Sequence, residues 1–156
     1  MDKAEIVRIL EEMAVILEIS EANPFEIMAY RNGARSIEDW EGDLSRAVQE
    51  NSLTDISGIG KGLAGVITDL VLEGVSSEHR RLLGLFSEKL LDLLKLSGLG
   101  PKKIKTLNKE LGIDGLDSLE QAAREKRIRS LKGFGPKSEE RILAGIERFR
   151  RSGTHP

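Results

Sequence analysis

The chain has 156 residues, of which 39 % are hydrophobic and 32 % are charged, so it can form one ordinary domain or two very small ones with packed cores. It contains no cysteine, which excludes disulfide cross-links and thiolate metal sites and is typical of a reducing compartment. No apolar run reaches the roughly 18 residues needed to cross a membrane, and the acidic N-terminus is unlike a signal peptide, so we expect a cytoplasmic protein.

Helical periodicity dominates the sequence, and the alternation typical of strands is absent. The second helix is marked by the cap and proline Asn23-Pro24, and we predict that Phe25 and Trp40 anchor the core. The sequence thus predicts an all-α fold of two small helical units, residues 1–88 and 89–156, joined near residues 85–92. The predicted helices are 3–19, 24–39, 43–50, 61–73, 77–95, 101–112, 116–126 and 136–151.

Charge is unevenly distributed along the chain. Residues 1–89 hold 9 Lys and Arg against 17 Asp and Glu, a net charge of −8, whereas residues 90–156 hold 15 against 9, a net charge of +6. This split favours a polyanionic partner for the second half. The alternatives are chance segregation of solvated charge, and an acidic first unit that serves as a docking surface for another protein.

An internal repeat is the strongest feature of the sequence. The segments "ISGIGKGLAGVITDLV" (56–71), "LSGLGPKKIKTLNKEL" (96–111) and "LKGFGPKSEERILAGI" (131–146) share one frame. In each of them an apolar residue and a small or polar one precede Gly-apolar-Gly, and an amphipathic helix follows. The glycine pairs are Gly58/Gly60, Gly98/Gly100 and Gly133/Gly135.

We interpret each repeat as a tight hairpin that leads into a helix. Glycine at both flanking positions permits a positive φ, and the apolar residue between them is expected to point into the core. The backbone N–H groups at the helix start are then available to an anion, which the helix dipole favours. Lys61, Lys102 and Lys137 are expected at equivalent places beside that anion. Contacts to backbone amides do not read bases, so binding to a nucleic acid would be independent of its sequence.

The same residues bear on other interpretations of the repeat. Gly60-x-Gly62-x-x-Gly65 satisfies the dinucleotide-binding pattern, but that fold needs a buried strand before the glycines, and "SLTDI" is too short and polar. A Walker loop would need Gly-x-x-x-x-Gly-Lys-Ser/Thr, which is absent. Helix–turn–helix packing without a ligand remains an alternative, above all in the third copy, where Glu139 and Glu140 crowd the helix start.

The repeats resemble helix-hairpin-helix motifs, which bind the sugar-phosphate backbone of DNA. "NPFEIMAYRNGARSIEDW", the first hairpin, and the segment from "LLKLSGLGPKKIKTLNKEL" to "LKGFGPKSEERILAGI" resemble the N-terminal part of bacterial family X DNA polymerases over residues 1 to about 150. The resemblance implies an eight-kilodalton-like domain with the first hairpin (1–88) and a DNA-binding subdomain with the second and third (89–156). It implies sequence-independent binding of duplex or gapped DNA during DNA repair.

The resemblance and the hairpin chemistry together suggest which residues contact DNA. They are Gly58, Gly60, Lys61, Gly98, Gly100, Lys102, Lys103, Lys105, Gly133, Gly135, Lys137 and Tyr30. In that family loop carbonyls commonly hold a monovalent cation, Na⁺ or K⁺, and no other cofactor is expected. The carbonyls that the resemblance implies here belong to Thr54, Ile56, Ile59, Leu94, Leu96 and Leu99.

The sequence departs from that family where catalysis is concerned. The aspartates of the catalytic palm bind two metal ions, but this sequence has no Asp-x-Asp pair, so polymerase activity would require a longer chain of which this is the front. In animal relatives a lysine of the small domain forms a Schiff base in a lyase reaction, and Val66 stands at that position. Their phosphate-binding lysines fall on Glu26 and Gly62. We expect no catalytic residue, and Lys61 is the only nearby substitute amine.

Overall fold

The computed structural model describes residues 1–86, 88–96 and 98–153, which contain helices, turns and no β-strand. This confirms the predicted all-α class. The chain divides into two compact units, residues 1–85 and 86–156. In the described part, no helix has both the length and the apolarity that crossing a membrane requires.

The described ranges contain nine α-helices and two one-turn 3-10 helices. The 3-10 helices, Leu53–Asp55 and Asp92–Lys95, precede the first and second hairpins. The α-helices are α1 (Lys3–Ile19), α2 (Pro24–Asp39), α3 (Leu44–Gln49), α4 (Lys61–Glu73), α5 (Ser77–Leu83), α6 (Glu88–Leu91), α7 (Pro101–Leu111), α8 (Leu116–Arg124) and α9 (Pro136–Gly153).

Helix α1 forms the centre of the first unit. Its apolar residues recur at helical spacing, and Ile6, Leu10 and Met13 are completely buried, with α2 and α5 packed against the helix. Each such side chain contributes about 1.5–3 kcal/mol on burial. Helix α4 packs against α2, α3 and α5. Gly33 of α2 lies so close to Leu63 of α4 that a Cβ would overlap that side chain, and this contact fixes the first hairpin against α2.

The second unit is built around α7, α8 and α9. The leucine-rich segment before the second hairpin supplies part of its core, and α8 packs against α9. Arg150 near the end of α9 donates a hydrogen bond of 2.6 Å to Asp117 at the start of α8. The most deeply buried side chains of this unit are Leu93, Ile104, Leu107, Ile113, Leu119, Ile128 and Ile146.

The predicted helix 77–95 is wrong, because this segment contains three separate elements. Helix α5 ends at Leu83, and the Gly84 N–H donates to the Arg80 carbonyl at 3.1 Å. Helix α6 and the second 3-10 helix follow. The leucines keep their helical spacing across this break, which is why the sequence predicts one helix. Glycine, however, has a helix propensity about 1 kcal/mol below that of alanine, and the helix ends just before Gly84.

The prediction that Phe25 and Trp40 anchor the core is wrong for Phe25. Phe25 is 85 % exposed, and Trp40 is only partly buried. The buried face of α2 is formed by Tyr30, Ala34 and Ile37. Helical periodicity places Phe25, the second residue of α2, on the opposite side from these residues.

Candidate nucleic-acid interface

All three hairpins are built on the same four-residue turn. In each, the carbonyl oxygen of the first turn residue accepts a hydrogen bond from the N–H three residues later: Ile56 from Ile59 at 3.0 Å, Leu96 from Leu99 at 3.4 Å, and Leu131 from Phe134 at 3.0 Å. The first glycine of each pair has a positive φ, which is 92° in Gly58, 86° in Gly98 and 88° in Gly133. Glycine adopts such angles without a side-chain penalty. The turn itself therefore requires the first glycine.

The second glycine of each pair serves a different purpose. Gly60 and Gly100 have φ values of −87° and −96° with ψ of 178° and 177°, an extended conformation open to any residue. The expectation of a positive φ at both flanking glycines is therefore wrong for the second. A Cβ on Gly60, Gly100 or Gly135 would meet no atom within 4 Å. Within the described residues nothing demands glycine here, whereas a ligand that approached the backbone closely would.

These second glycines are also the N-caps of the helices that follow. Gly60 accepts from the Ala64 N–H at 2.9 Å, Gly100 from Ile104 at 3.1 Å and Gly135 from Glu139 at 3.0 Å. Within the described residues, no side chain caps α4 or α7. The first-turn N–H groups of a helix have no partner inside the helix. Without a side-chain cap they form an anion site at the positive end of the helix dipole.

The three hairpin lysines do not occupy equivalent places, contrary to the expectation. Lys61 is the first residue of α4, whereas Lys102 and Lys137 are the second residues of α7 and α9, because a proline begins each of those helices. The residue of α4 that corresponds to Lys102 and Lys137 is Gly62. All three lysines are exposed, but only the second and third hairpins carry a cation at the second helical position.

The second and third hairpins contact each other through a cation–π pair. Ile59 and Leu99 are 4 % and 6 % exposed, as expected for the central hairpin residue. Phe134 is less deeply buried than these two residues. Lys103 Nζ lies 5.6 Å from the centre of the Phe134 ring. Lys105, farther along α7, is also partly buried.

Glu139 does not crowd the third anion site, because its side chain turns inward. It is 2 % exposed, and its carboxylate accepts hydrogen bonds from the Arg129 backbone N–H at 2.9 Å and from the guanidinium at 2.8 and 3.0 Å. Burial alone would raise the pKa of Glu139, but the hydrogen bonds from Arg129 outweigh it and lower the pKa. Sequence reasoning missed this pair, since ten residues separate its members and no local pattern joins them.

The first unit offers fewer groups for phosphate binding. Tyr30 is only 9 % exposed, and burial, followed by the Glu78 and Glu26 carboxylates, raises the pKa of its phenol. These carboxylates would repel a phosphate. Val66 is buried in α4 and offers no amine, so Lys61 is the exposed amine nearest to it in the sequence.

The backbone carbonyls implied as cation ligands are of a chemical type that binds monovalent ions. Ile56 and Leu96 each accept one hydrogen bond in the hairpin turn, and a carbonyl oxygen has a second lone pair. Neutral backbone carbonyls are also the ligands of K⁺ in channel filters. No cluster of three or more His, Cys, Asp or Glu side chains that could hold a metal ion occurs in the described ranges.

Comparison with known proteins gives matches in both units. Residues 1–76 match the model of a helix-hairpin-helix domain, and residues 90–148 match that of a SAM-like helix-hairpin-helix tandem. The chain is 42 % identical over 146 residues to a Bacillus subtilis (strain 168) protein named DNA polymerase/3′-5′ exonuclease PolX. The match covers 94 % of this chain and 25 % of that protein, so the chain spans about a quarter of the length of this relative.

Proposed function

We propose that this chain binds the DNA backbone without regard to base sequence. Both of its units match helix-hairpin-helix models, and the chain corresponds to the N-terminal region of a bacterial family X DNA polymerase. It resembles the non-catalytic front part of such a polymerase. We extend the proposal to polymerase activity and to DNA repair only for a longer chain, in which these residues act together with further domains.

The observation that carries this proposal is the difference between the first and the second glycine of each hairpin. The first glycine of each pair satisfies the turn. The second leaves open backbone at a helix start, and in α4 and α7 no described side chain caps that start. Phosphate oxygens fit such a site, because they accept several N–H hydrogen bonds and carry the charge that the helix dipole favours. Packing between helices would not need the second glycine.

We assign the larger share of the binding to the second unit. Residues 86–156 hold 16 Lys and Arg against 10 Asp and Glu, a net charge of +6, whereas residues 1–85 hold 8 against 16, a net charge of −8. Lys102, Lys103, Lys105 and Lys137 supply the cations of the hairpins there. If the hairpin carbonyls bind Na⁺ or K⁺, the ion adds a positive charge beneath a phosphate.

The acidic first unit would suit a different partner, namely a basic protein in the cytoplasm.

The proposal predicts that the double substitution Lys102→Ala and Lys103→Ala weakens DNA binding for every sequence alike. Each lysine that neutralises one phosphate contributes about 0.9 to the slope of log affinity against log salt. The slope should therefore fall by about 1.8 on three unrelated 20-base-pair duplexes, measured by fluorescence anisotropy over a range of KCl concentrations. Unchanged affinity, or a loss confined to one of the three duplexes, would contradict the proposal.

A further inference from the structure

Helix α9 has a face of basic residues directed away from the core. Lys137, Arg141, Ala144 and Arg148 follow one another at spacings of four, three and four residues and are all exposed. At 3.6 residues per turn they lie along one line of the helix. We call these four residues the outer face of α9. The buried residues Ile142 and Ile146 lie on the opposite side.

The cations of this outer face differ from four other arginines of the second unit, because no described acidic side chain pairs with them. Four arginines there are paired with carboxylates: Arg124 with Glu120 at 3.0 Å, Arg127 with Glu125 at 3.6 Å, Arg129 with Glu139 at 2.8 Å and Arg150 with Asp117 at 2.6 Å. Within the described part of the chain, no ion pair or hydrogen bond engages the side chains of Lys137, Arg141 or Arg148. Their charge is therefore available to an external anion.

The outer face is continuous with the hairpin sites. It begins at Lys137, the second residue of α9, beside the third anion site. Arg141 also lines a groove between the second and third hairpins together with Lys103 and Phe134. The exposed acidic residues Glu140 and Glu147 lie about 60–80° around the helix from Lys137, on the other side of the face from Arg141. A polyanion would therefore approach from the side of the groove.

We propose that the outer face of α9 is a second DNA-contacting surface, which continues the phosphate site of the third hairpin along the DNA backbone. The proposal rests on the DNA binding proposed above and extends it to residues outside the hairpins. The twelve residues from Lys137 to Arg148 span about 17 Å of helix, which corresponds to roughly five nucleotides of a strand at 3.4 Å each. Ala144, in the middle of the outer face, has a short side chain that would not keep the DNA backbone away from the helix.

The test compares two double substitutions in the full chain that remove the same charge. Arg141→Gln with Arg148→Gln removes the two arginines of the outer face, and Arg124→Gln with Arg127→Gln removes two paired ones. Each protein is titrated against a labelled 20-base-pair duplex at several KCl concentrations. If each outer-face arginine neutralises one phosphate, the slope of log affinity against log salt falls by about 1.8 in the first variant and much less in the second.

Equal slopes in the two variants would overturn the inference, because they would show a general effect of charge without a local contact. Arg141→Lys with Arg148→Lys retains the charge and should recover most of the wild-type slope, and failure of this recovery would also count against phosphate contacts. Melting curves verify that the variants fold, as expected for exposed side chains. If the wild-type chain itself did not bind the duplex, the proposed function would fail, a result distinct from the failure of the outer face alone.

Discussion

At the scale of single residues, the two glycines of each hairpin answer to different demands. Gly98 has a φ of 86°, which the turn imposes, whereas Gly100 has an extended backbone and open space where a Cβ would stand. A side chain at the first position would strain the fold. At the second it would strain only the approach of a ligand. The protein thus keeps bare backbone at a helix start where a capping side chain would give greater stability.

This difference predicts opposite changes in stability and in binding when the second glycines become serine. Serine is a better N-cap than glycine, so Gly100→Ser with Gly135→Ser should raise the free energy of unfolding by a few tenths of a kcal/mol to about 1 kcal/mol. The serine oxygens would occupy the N–H groups that a phosphate uses, so DNA affinity should fall. Thermal denaturation and anisotropy titration measure the two effects. A variant that is more stable and binds DNA as tightly as wild type would refute the role given to these glycines.

At the scale of the elements, the third hairpin is held by an ion pair that has no counterpart in the described residues of the other two. Glu139 of α9 reaches back to the backbone and the guanidinium of Arg129, which fixes the segment before the hairpin to the helix after it. The repeat in the sequence predicts three similar hairpins, and the turn and the N-cap are indeed shared. The Arg129–Glu139 pair and the outer face of α9 belong to one copy alone. Arginines spaced by seven residues on α9 are visible in the sequence, but their lack of acidic partners is not.

We predict that Glu139→Gln destabilises the protein at neutral pH by about 1–3 kcal/mol, because a buried set of charge-assisted hydrogen bonds is lost. The partial exposure of Arg129 keeps the effect toward the lower end. The pKa of Glu139 is lowered in the folded protein. Its contribution is therefore present above the usual pKa of a glutamate, about 4.3, and is lost as the pH falls through the lowered value.

The stability difference between wild type and Glu139→Gln should accordingly shrink below about pH 4, which urea denaturation at several pH values measures. Glu140→Gln is the matched control, since Glu140 is exposed and its loss should change stability by less than about 0.5 kcal/mol. A constant difference between wild type and Glu139→Gln down to pH 2 would show that the carboxylate charge contributes nothing.

At the scale of the whole molecule, the charges of the two units have opposite signs, −8 in residues 1–85 and +6 in residues 86–156. The hairpin turn is the same in both units, yet its surroundings differ. Lys61 lies in the acidic unit, and Lys102 lies in the basic unit. At the second helical position, the first hairpin has Gly62 and the other two hairpins have a lysine. From this difference in charge we expect the first hairpin to bind DNA more weakly than the second and third.

A comparison of single substitutions in the two units tests this division. Lys102→Ala should lower the slope of log affinity against log salt by about 0.9, the loss of one phosphate contact, and Lys61→Ala should change it little. Each variant serves as the control for the other, because both remove one exposed lysine at a hairpin. Equal losses in the two variants would mean that the first hairpin binds DNA as strongly as the second despite its acidic unit.

The sequence by itself determined the helical class, the three glycine hairpins and the charge of each half, because these depend on local periodicity, backbone freedom and composition. It failed where distant residues decide the outcome. Phe25 is exposed because α2 buries its other face, Glu139 turns inward because Arg129 lies behind it, and Phe134 is only partly buried next to Lys103. Only the tertiary structure separated the glycine that the turn needs from the glycine that we assign to a ligand, since both are the same residue type and differ in φ.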